Sequence, residues 1–280
     1  MSVVDLPQVE ALIRAALEED VGRGDITTRL TVPAGVAATG TLLAKQDGVL
    51  AGLPLVAKVF GLVSGEVRVQ ALAKDGDAFT SGTTLAHVEG PAAALLVGER
   101  LALNLVQRLS GVATLTRQYV AAVAGTRARI IDTRKTTPGL RVLEKYAVRM
   151  GGGGNHRAGL DDGILIKDNH ITSAGGVSAA LKAARAGAPH GLRVEIECAT
   201  LAQLDEALVA GADAVLLDNM SVADLTEAAR RAAGRALTEA SGGITLETVR
   251  AVAESGVDLI SVGALTHSAP AVDISMKIKL

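Results

Sequence analysis

Between Ile130 and His170 the chain reads IIDTRKTTPGLRVLEKYAVRMGGGGNHRAGLDDGILIKDNH, with Arg134, Lys135, Arg141, Lys145, Arg149, His156, Arg157 and Lys167 along it. These cations stand beside turn formers, Thr136-Thr137-Pro138-Gly139 and then Gly151 to Gly154. Apolar segments, Ile130-Ile131 and Ile164-Leu165-Ile166, precede the two outer groups. The charges therefore fall where strands end and loops begin, the place where α/β proteins build sites, rather than along a solvated helix face. Such a cluster suits a ligand with more than one anionic group.

Carboxylates accompany the cations. Glu195 and Glu197 lie two apart in RVEIECA, so a strand would put both on one face. Glu195 is the weaker candidate, because it stands further from the strand end. Asp218 closes AVLLDN. Carboxylates in a cationic mouth could meet Mg²⁺, a sugar hydroxyl or a developing positive charge, or simply form a salt-bridge lattice. Ser241-Gly242-Gly243 precedes a helix expected near Thr245, and Gly263 ends the last strand. Backbone N–H groups at such places can hold phosphate, although tight βα turns have the same composition. His156-Arg157 follows four glycines, a hinged position from which both can meet an anion. His267 follows the last strand and could reach the same mouth. His87 and His190 fall in polar turns and receive no role, and Cys198 reads as core.

Elements must place these residues. Residues 6–19 read as an amphipathic helix, and GRGDITT (Gly22 to Thr28) as a turn. From Ala37 to Val88 short apolar segments alternate with turns around a helix, LPLVAKVFGLV, which predicts an antiparallel sheet with helices on one face. Ala92 to Ala124 is a long helical tract with a break expected near Ser110-Gly111. Beyond it six apolar segments recur: ARIIDTR, ILIKDN, RVEIECA, AVLLDN, ALTEASG and LISVGAL. Most are followed by helical tracts, the βα grammar of a parallel sheet or barrel. No GxGxxG follows the first of these strands, as a dinucleotide-binding sheet would require. Polar residues end nearly every strand, and a barrel brings all those ends to one mouth. The fold class is therefore α/β: an N-terminal α/β domain and an incomplete α/β barrel of about six strands. The closing SMKIKL alternates like an edge strand and is expected to return to the first domain. The domains are expected at residues 1–110, joined by 268–280, and at 111–267.

Composition bounds the partners. Apolar residues make up 49% and aromatics 1%, so the core is aliphatic. A net charge of −2 makes the basic cluster local and argues against nucleic acid or a membrane surface as partner. The single cysteine excludes an internal disulfide and a multi-cysteine metal site. The N-terminal stretch lacks a signal-peptide pattern, and no apolar run is long enough to span a bilayer; a cytoplasmic protein is expected. Physical reasoning alone thus reaches a barrel enzyme whose mouth has a phosphate corner, several cations and two carboxylates. It leaves the substrate open.

The motifs add a resemblance. ERLALNLVQRLSGVAT (Glu99–Thr114), DTRKTTPGLR (Asp132–Arg141), GGGGNHRAGLDDGILIKDNH (Gly151–His170), LLDN (Leu216–Asn219), EASGGI (Glu239–Ile244) and SVGALTHS (Ser261–Ser268) resemble the quinolinate phosphoribosyltransferases over nearly the whole chain. The resemblance implies an N-terminal α/β sandwich plus an incomplete barrel. It implies transfer of phosphoribosyl from 5-phosphoribosyl-1-pyrophosphate to quinolinate with decarboxylation, giving nicotinate mononucleotide, pyrophosphate and CO₂ in NAD biosynthesis. By motif, Arg134, His156, Arg157 and Lys167 would hold the quinolinate carboxylates, with Lys135 between the substrates and Thr133 also binding substrate. Glu197 and Asp218 would face the ribose and, with Lys135, carry the catalysis. Ser241, Gly242, Gly243, Val262, Gly263 and Ala264 would cradle the 5-phosphate, with His267 near. Arg100 would serve the neighbouring subunit of a homodimer or larger homo-oligomer. Mg²⁺ would arrive mainly on the pyrophosphate, and no metal-ligand set in the protein is expected. Two alternatives stay open: a paralogous transferase for another ring acid, and a non-catalytic sensor of a pyridine dicarboxylate.

Overall fold

The computed structural model describes residues 3–280. In chain order the helices are α1 (Pro7–Val21), α2 (Ile26–Thr31), α3 (Leu53–Val63), α4 (Ala92–Ala122), α5 (Arg141–Met150), α6 (Asp168–Ala174), α7 (Val177–Gly187), α8 (Leu201–Val209), α9 (Val222–Ala232), α10 (Val249–Glu254) and α11 (Ala264–His267). The strands are β1 (Ala37–Ala44), β2 (Gly48–Val49), β3 (Arg68–Ala71), β4 (Ala78–Phe79), β5 (Thr84–Pro91), β6 (Arg129–Ile131), β7 (Ile164–Ile166), β8 (Val194–Cys198), β9 (Ala214–Asp218), β10 (Leu237–Ser241), β11 (Leu259–Ser261) and β12 (Ile274–Lys279). Among the described residues no helix is long and apolar enough to cross a membrane.

Two compact units form. The first comprises the chain up to Arg117, Thr137–Gly152 and Thr266–Leu280; the second comprises Gln118–Thr136 and Gly153–Leu265. In the first unit an antiparallel sheet runs β12-β1-β5-β3, and β2 pairs with β4. β12 takes the edge, where Ile274 and Met276 are buried and Lys277 and Lys279 exposed, the alternation of a half-covered strand. α5 belongs to this unit although it lies between two barrel strands in sequence. Its buried Glu144 accepts from both Nε and Nη2 of Arg108, at 3.1 and 2.8 Å, and from the backbone and hydroxyl of Thr137. Arg108 also donates to the carbonyls of Thr266 and Ala269.

Two local expectations fail here. α4 is unbroken at Gly111. The glycine is there for space: a Cβ would lie 2.0 Å from the carbonyl oxygen of Pro270. The stretch Gly22 to Thr28 is only half turn. Asp25 accepts from the backbone N–H of Thr28 at 2.9 Å and caps α2, so Ile26 onward is helical.

The second unit is a parallel sheet ordered β6-β11-β10-β9-β8-β7, the six strands expected. It is an incomplete barrel: β6 and β7 are its two ends. Beside β6, Gly154 forms a single parallel bridge with Ile131, its N–H donating to the Ile130 carbonyl at 2.8 Å. The glycine run therefore ends inside the barrel wall. On β8, Val194, Ile196 and Cys198 are buried while Glu195 and Glu197 alternate with them on the other face. On β10 the same alternation sets Thr238 and Ala240 against Leu237, Glu239 and Ser241. Parallel strands put every carboxyl end at one mouth.

Candidate active site

A cavity opens at that mouth. Its wall includes Thr133, Arg134 and Lys135 after β6, His156 and Arg157 after the glycine run, and Lys167 after β7. From the strands come Leu165, Glu197, Leu216, Asp218, Glu239, Ser241 and Ser261. The strand period explains this set: alternate residues of β8, β9 and β10 share the inner face, so each strand gives its last inward side chain to the mouth.

The cationic side is built from the end of β6. Asp132 is fully buried, and its carboxylate accepts from the side-chain amide of Asn155 at 2.6 Å and from the backbone N–H of His156 at 2.8 Å. One acid thus holds the Asn155-His156-Arg157 segment beside Arg134. Arg157 Nη1 donates to the carbonyl of Gly163 at 3.1 Å, and its Nε is buried without a hydrogen-bond partner. Burial lowers the proton affinity of the Arg157 guanidinium, and the charge of Arg134 lowers it further. Two guanidiniums that repel each other in a partly desolvated cavity form a place for an anion.

The opposite side is acidic. Glu197 Oε2 stands 3.8 Å from Lys167 Nζ. Burial raises the Glu197 carboxyl above its ordinary range; Lys167 opposes this, and Asp218 and Asp168 add to it. Asp218 accepts from the side-chain amide of Asn219 at 2.8 Å. Asn219 takes a left-handed backbone, φ 54°, and its N–H donates to the Ser241 carbonyl at 2.9 Å, extending the β9–β10 pairing past the strand ends. Its side chain occupies the place where a Cβ on Gly242 would sit, 2.2 Å from Oδ1. With φ 101° at the same position, Gly242 has both a steric and a conformational reason to be glycine.

The phosphate corner differs from expectation. No helix begins near Thr245; Thr245 and Thr248 bond to each other in a turn, and α10 starts at Val249. The hydroxyl of Thr248 accepts from the Thr245 N–H at 2.9 Å in the turn that leads into α10. Ser241-Gly242-Gly243 therefore offers loop amides rather than a helix start. Val262 is buried, with its N–H donating to the Ile131 carbonyl, and Gly263 joins it to the four-residue α11. Of the sequence candidates, Thr133, Arg134, Lys135, His156, Arg157, Lys167, Glu197, Asp218 and Ser241 line the cavity, whereas Gly242, Gly243, Val262, Gly263 and Ala264 do not. Arg100 lies exposed on α4 and His267 exposed at the end of α11, with Nδ1 2.6 Å from Ser268 Oγ; both are in the first unit.

Sequence reasoning missed Asp132, Asn219 and Glu239, and it undervalued Glu195. Glu195 Oε2 lies 3.2 Å from His156 Nε2, and Glu239 Oε2 lies 3.6 Å from the same atom. Each of the three missed residues sat inside a quoted motif. Their partners lie on segments distant in sequence, which one sequence does not display.

Comparison with known proteins agrees with this architecture. The family model for the quinolinate phosphoribosyl transferase N-terminal domain matches residues 25–110, and that for the C-terminal domain matches 112–277. The chain is 46% identical to a probable carboxylating nicotinate-nucleotide pyrophosphorylase of Bacillus subtilis, over 98% of this chain and 94% of that protein. It is 48% identical to the carboxylating nicotinate-nucleotide pyrophosphorylase of Mycobacterium leprae, over 94% and 95%. The solved structure of NadC from Streptococcus pyogenes superposes with a TM-score of 0.94 at 45% identity, covering 98% of each chain. With both family domains matched in order along almost all of its length, the chain belongs to the quinolinate phosphoribosyltransferase family.

Proposed function

We propose that the protein transfers the phosphoribosyl group of 5-phosphoribosyl-1-pyrophosphate to the ring nitrogen of quinolinate and releases pyrophosphate and CO₂, forming nicotinate mononucleotide for NAD biosynthesis. The observation that carries this reading is a single cavity lined by Arg134 and Arg157, which sense each other's charge, together with Glu197 and Asp218. The guanidiniums, with Lys167, Thr133 and His156, take the two ring carboxylates; charge-assisted, bidentate bonds fix the ring plane as well as the charge. Lys135 lies between the two substrates. Glu197 and Asp218 face the ribose, where departure of pyrophosphate leaves positive charge on C1, and fixed carboxylates lower the energy of that state. Loop amides at Ser241-Gly242-Gly243 and Val262-Gly263-Ala264, with His267, hold the 5-phosphate. Mg²⁺ enters on the pyrophosphate as part of the substrate.

Chemistry then follows from position. The ring nitrogen attacks C1 and becomes a pyridinium. The C2 carboxylate leaves as CO₂, and the electron pair left on C2 is stabilised by the adjacent N⁺. Holding two anionic substrates in register removes most of the entropic barrier. We place the protein in the cytoplasm as a homodimer or larger homo-oligomer in which Arg100 serves a neighbouring subunit. The test is incubation with quinolinate, the phosphoribosyl donor and Mg²⁺, with nicotinate mononucleotide detected by mass. Product from nicotinate but not from quinolinate would favour a paralogous specificity. Quinolinate binding without any turnover would point to a sensor.

A further inference from the structure

Decarboxylation leaves an account to close: the electron pair on C2 must receive a proton. The groups already assigned to substrate binding are cations that hold carboxylates or anions that face the ribose. Beside them lies a cluster that shares only His156 with those groups. His156, Glu195 and Glu239 bring one ring nitrogen and two carboxylate oxygens within 4.8 Å of one another. Glu239 is 2% exposed, yet it lines the cavity, and its Oε1 is buried without a hydrogen-bond partner.

Hydrogen-bond direction decides where the proton sits. The backbone N–H of Arg157 donates to His156 Nδ1 at 2.7 Å, so Nδ1 has no proton. The ring proton is therefore on Nε2, which faces Glu195 and Glu239. While that backbone bond holds, His156 is neutral and offers one N–H to two carboxylates. A divalent cation in the cluster would need the Nε2 lone pair, which this tautomer does not have. Two carboxylates so close, with Glu239 buried, resist joint ionisation, which favours a proton on the buried Glu239.

We propose that Glu239, paired with Glu195 beneath His156, is the acid that delivers the proton consumed at C2 of the quinolinate ring. The inference rests on the activity proposed above. The bond from C2 to its carboxylate breaks, CO₂ departs, and the electron pair stays on C2. The O–H of Glu239 then breaks, its proton bonds to C2, and a carboxylate remains. Solvent returns a proton before the next turnover, and nothing is oxidised or reduced. Glu239 suits the task better than Glu195 because it faces the cavity. Burial, then the charge of Glu195, raises the Glu239 carboxyl well above its ordinary range, so the acid is available at neutral pH. The groups around Glu239 are Glu195 from β8, itself beside Arg157, His156 from the segment after Gly154, and Ser261 from β11, with apolar Leu216 its register partner on β9.

The experiment separates transfer from protonation in the whole enzyme. Pyrophosphate, CO₂ and nicotinate mononucleotide are measured separately for wild type, Glu239→Gln and Glu195→Gln across pH. Wild type should lose turnover as pH rises through the titration of the pair. Glu239→Gln should lose at least about tenfold in nicotinate mononucleotide formation at pH 7. It should keep a single-turnover burst of pyrophosphate and accumulate quinolinate mononucleotide. Glu195→Gln removes the neighbouring negative charge, so the alkaline loss should move to lower pH. Wild-type turnover with an unchanged alkaline limb in Glu239→Gln overturns the proposal. So does loss of the pyrophosphate burst in a folded Glu239→Gln that still binds quinolinate. If Glu239→Gln does not fold, an alkaline limb in Glu195→Gln that stays put or moves up is equally decisive. Failure of wild type to release any pyrophosphate from quinolinate and donor would instead defeat the activity on which the inference rests.

Discussion

At the scale of single residues, the site sets two arginines and two lysines in one cavity with Glu197 and Asp218. Arg134→Ala or Arg157→Ala removes charge-assisted bonds to a dianion, each worth about 1.5–3 kcal/mol. Quinolinate affinity should fall by roughly tenfold to a hundredfold, with donor affinity nearly unchanged. Titration calorimetry with each substrate alone checks this, and unchanged quinolinate affinity in both variants would remove the arginines from the clamp. Asp218→Asn keeps the amide of Asn219 within reach but loses a charge. Turnover should drop by about a hundredfold while quinolinate affinity holds, as expected of a group that acts only when charge develops on the ribose. Steady-state kinetics on Asp218→Asn and Glu197→Gln decide the point: wild-type turnover in both would leave no electrostatic role. Glu239 also links the site to stability. Its folded carboxyl titrates near 8 against an ordinary value of 4.5. Its contribution is full below the ordinary value and is lost as pH rises through the folded one. Stability should therefore decline from about pH 4.5 to about 8. Glu239→Gln should flatten that decline and melt higher than wild type at pH 8, as thermal denaturation at several pH values will show. These acids also mark the limit of the sequence. Arg134, Glu197 and Asp218 were legible because each stands at or close to a strand end, and Arg157 because it follows a run of glycines. Glu239 was not, because its significance comes from β8 and the His156 segment, which approach it only through the sheet.

At the scale of elements, alternation carried most of the fold. All six barrel strands were visible as short apolar runs with polar ends, and α3 as an apolar run opened by proline. The errors came from glycine and threonine, whose meaning depends on what lies beside them. Gly111 reads as a helix breaker but sits inside α4, where the backbone at Pro270 comes too close for any side chain. Gly111→Ala must move one of two backbones, so it should destabilise by about 1–3 kcal/mol despite the better helix propensity of alanine. Denaturant unfolding of the variant measures this, and a gain in stability would mean that the contact yields freely. A helix is expected near Thr245, yet Thr245 and Thr248 form a turn and α10 starts at Val249, which leaves the glycine loop of β10 longer than expected. The consequence reaches function: the amides proposed for the phosphate belong to a loop fixed by Asn219, not to a helix terminus.

At the scale of the whole molecule, Arg100 is the residue that one chain leaves without employment. It is exposed on α4, and it makes no ion pair with any described residue. Membership of the family gives its segment, ERLALNLVQRLSGVAT, a place among the motifs that accompany catalysis. A surface cation with nothing to neutralise is expected where another copy brings an anionic ligand to it, and closed two-fold assemblies are the commonest way for copies to exchange such residues. Lys135 lines the cavity of its own chain, so in a shared-site assembly the two residues would report on different subunits. Arg100→Ala alone and Lys135→Ala alone should both be nearly inactive. If Arg100 acts in trans, mixing the two variants and allowing subunits to exchange creates dimers with one intact site and one doubly damaged site. Activity should then return to a fraction of wild type set by the population of mixed dimers. Native mass spectrometry of the mixture, with one variant isotopically labelled, gives that population independently. Mixed dimers without recovered activity would confine Arg100 to its own chain, and full activity of Arg100→Ala alone would remove it from the reaction.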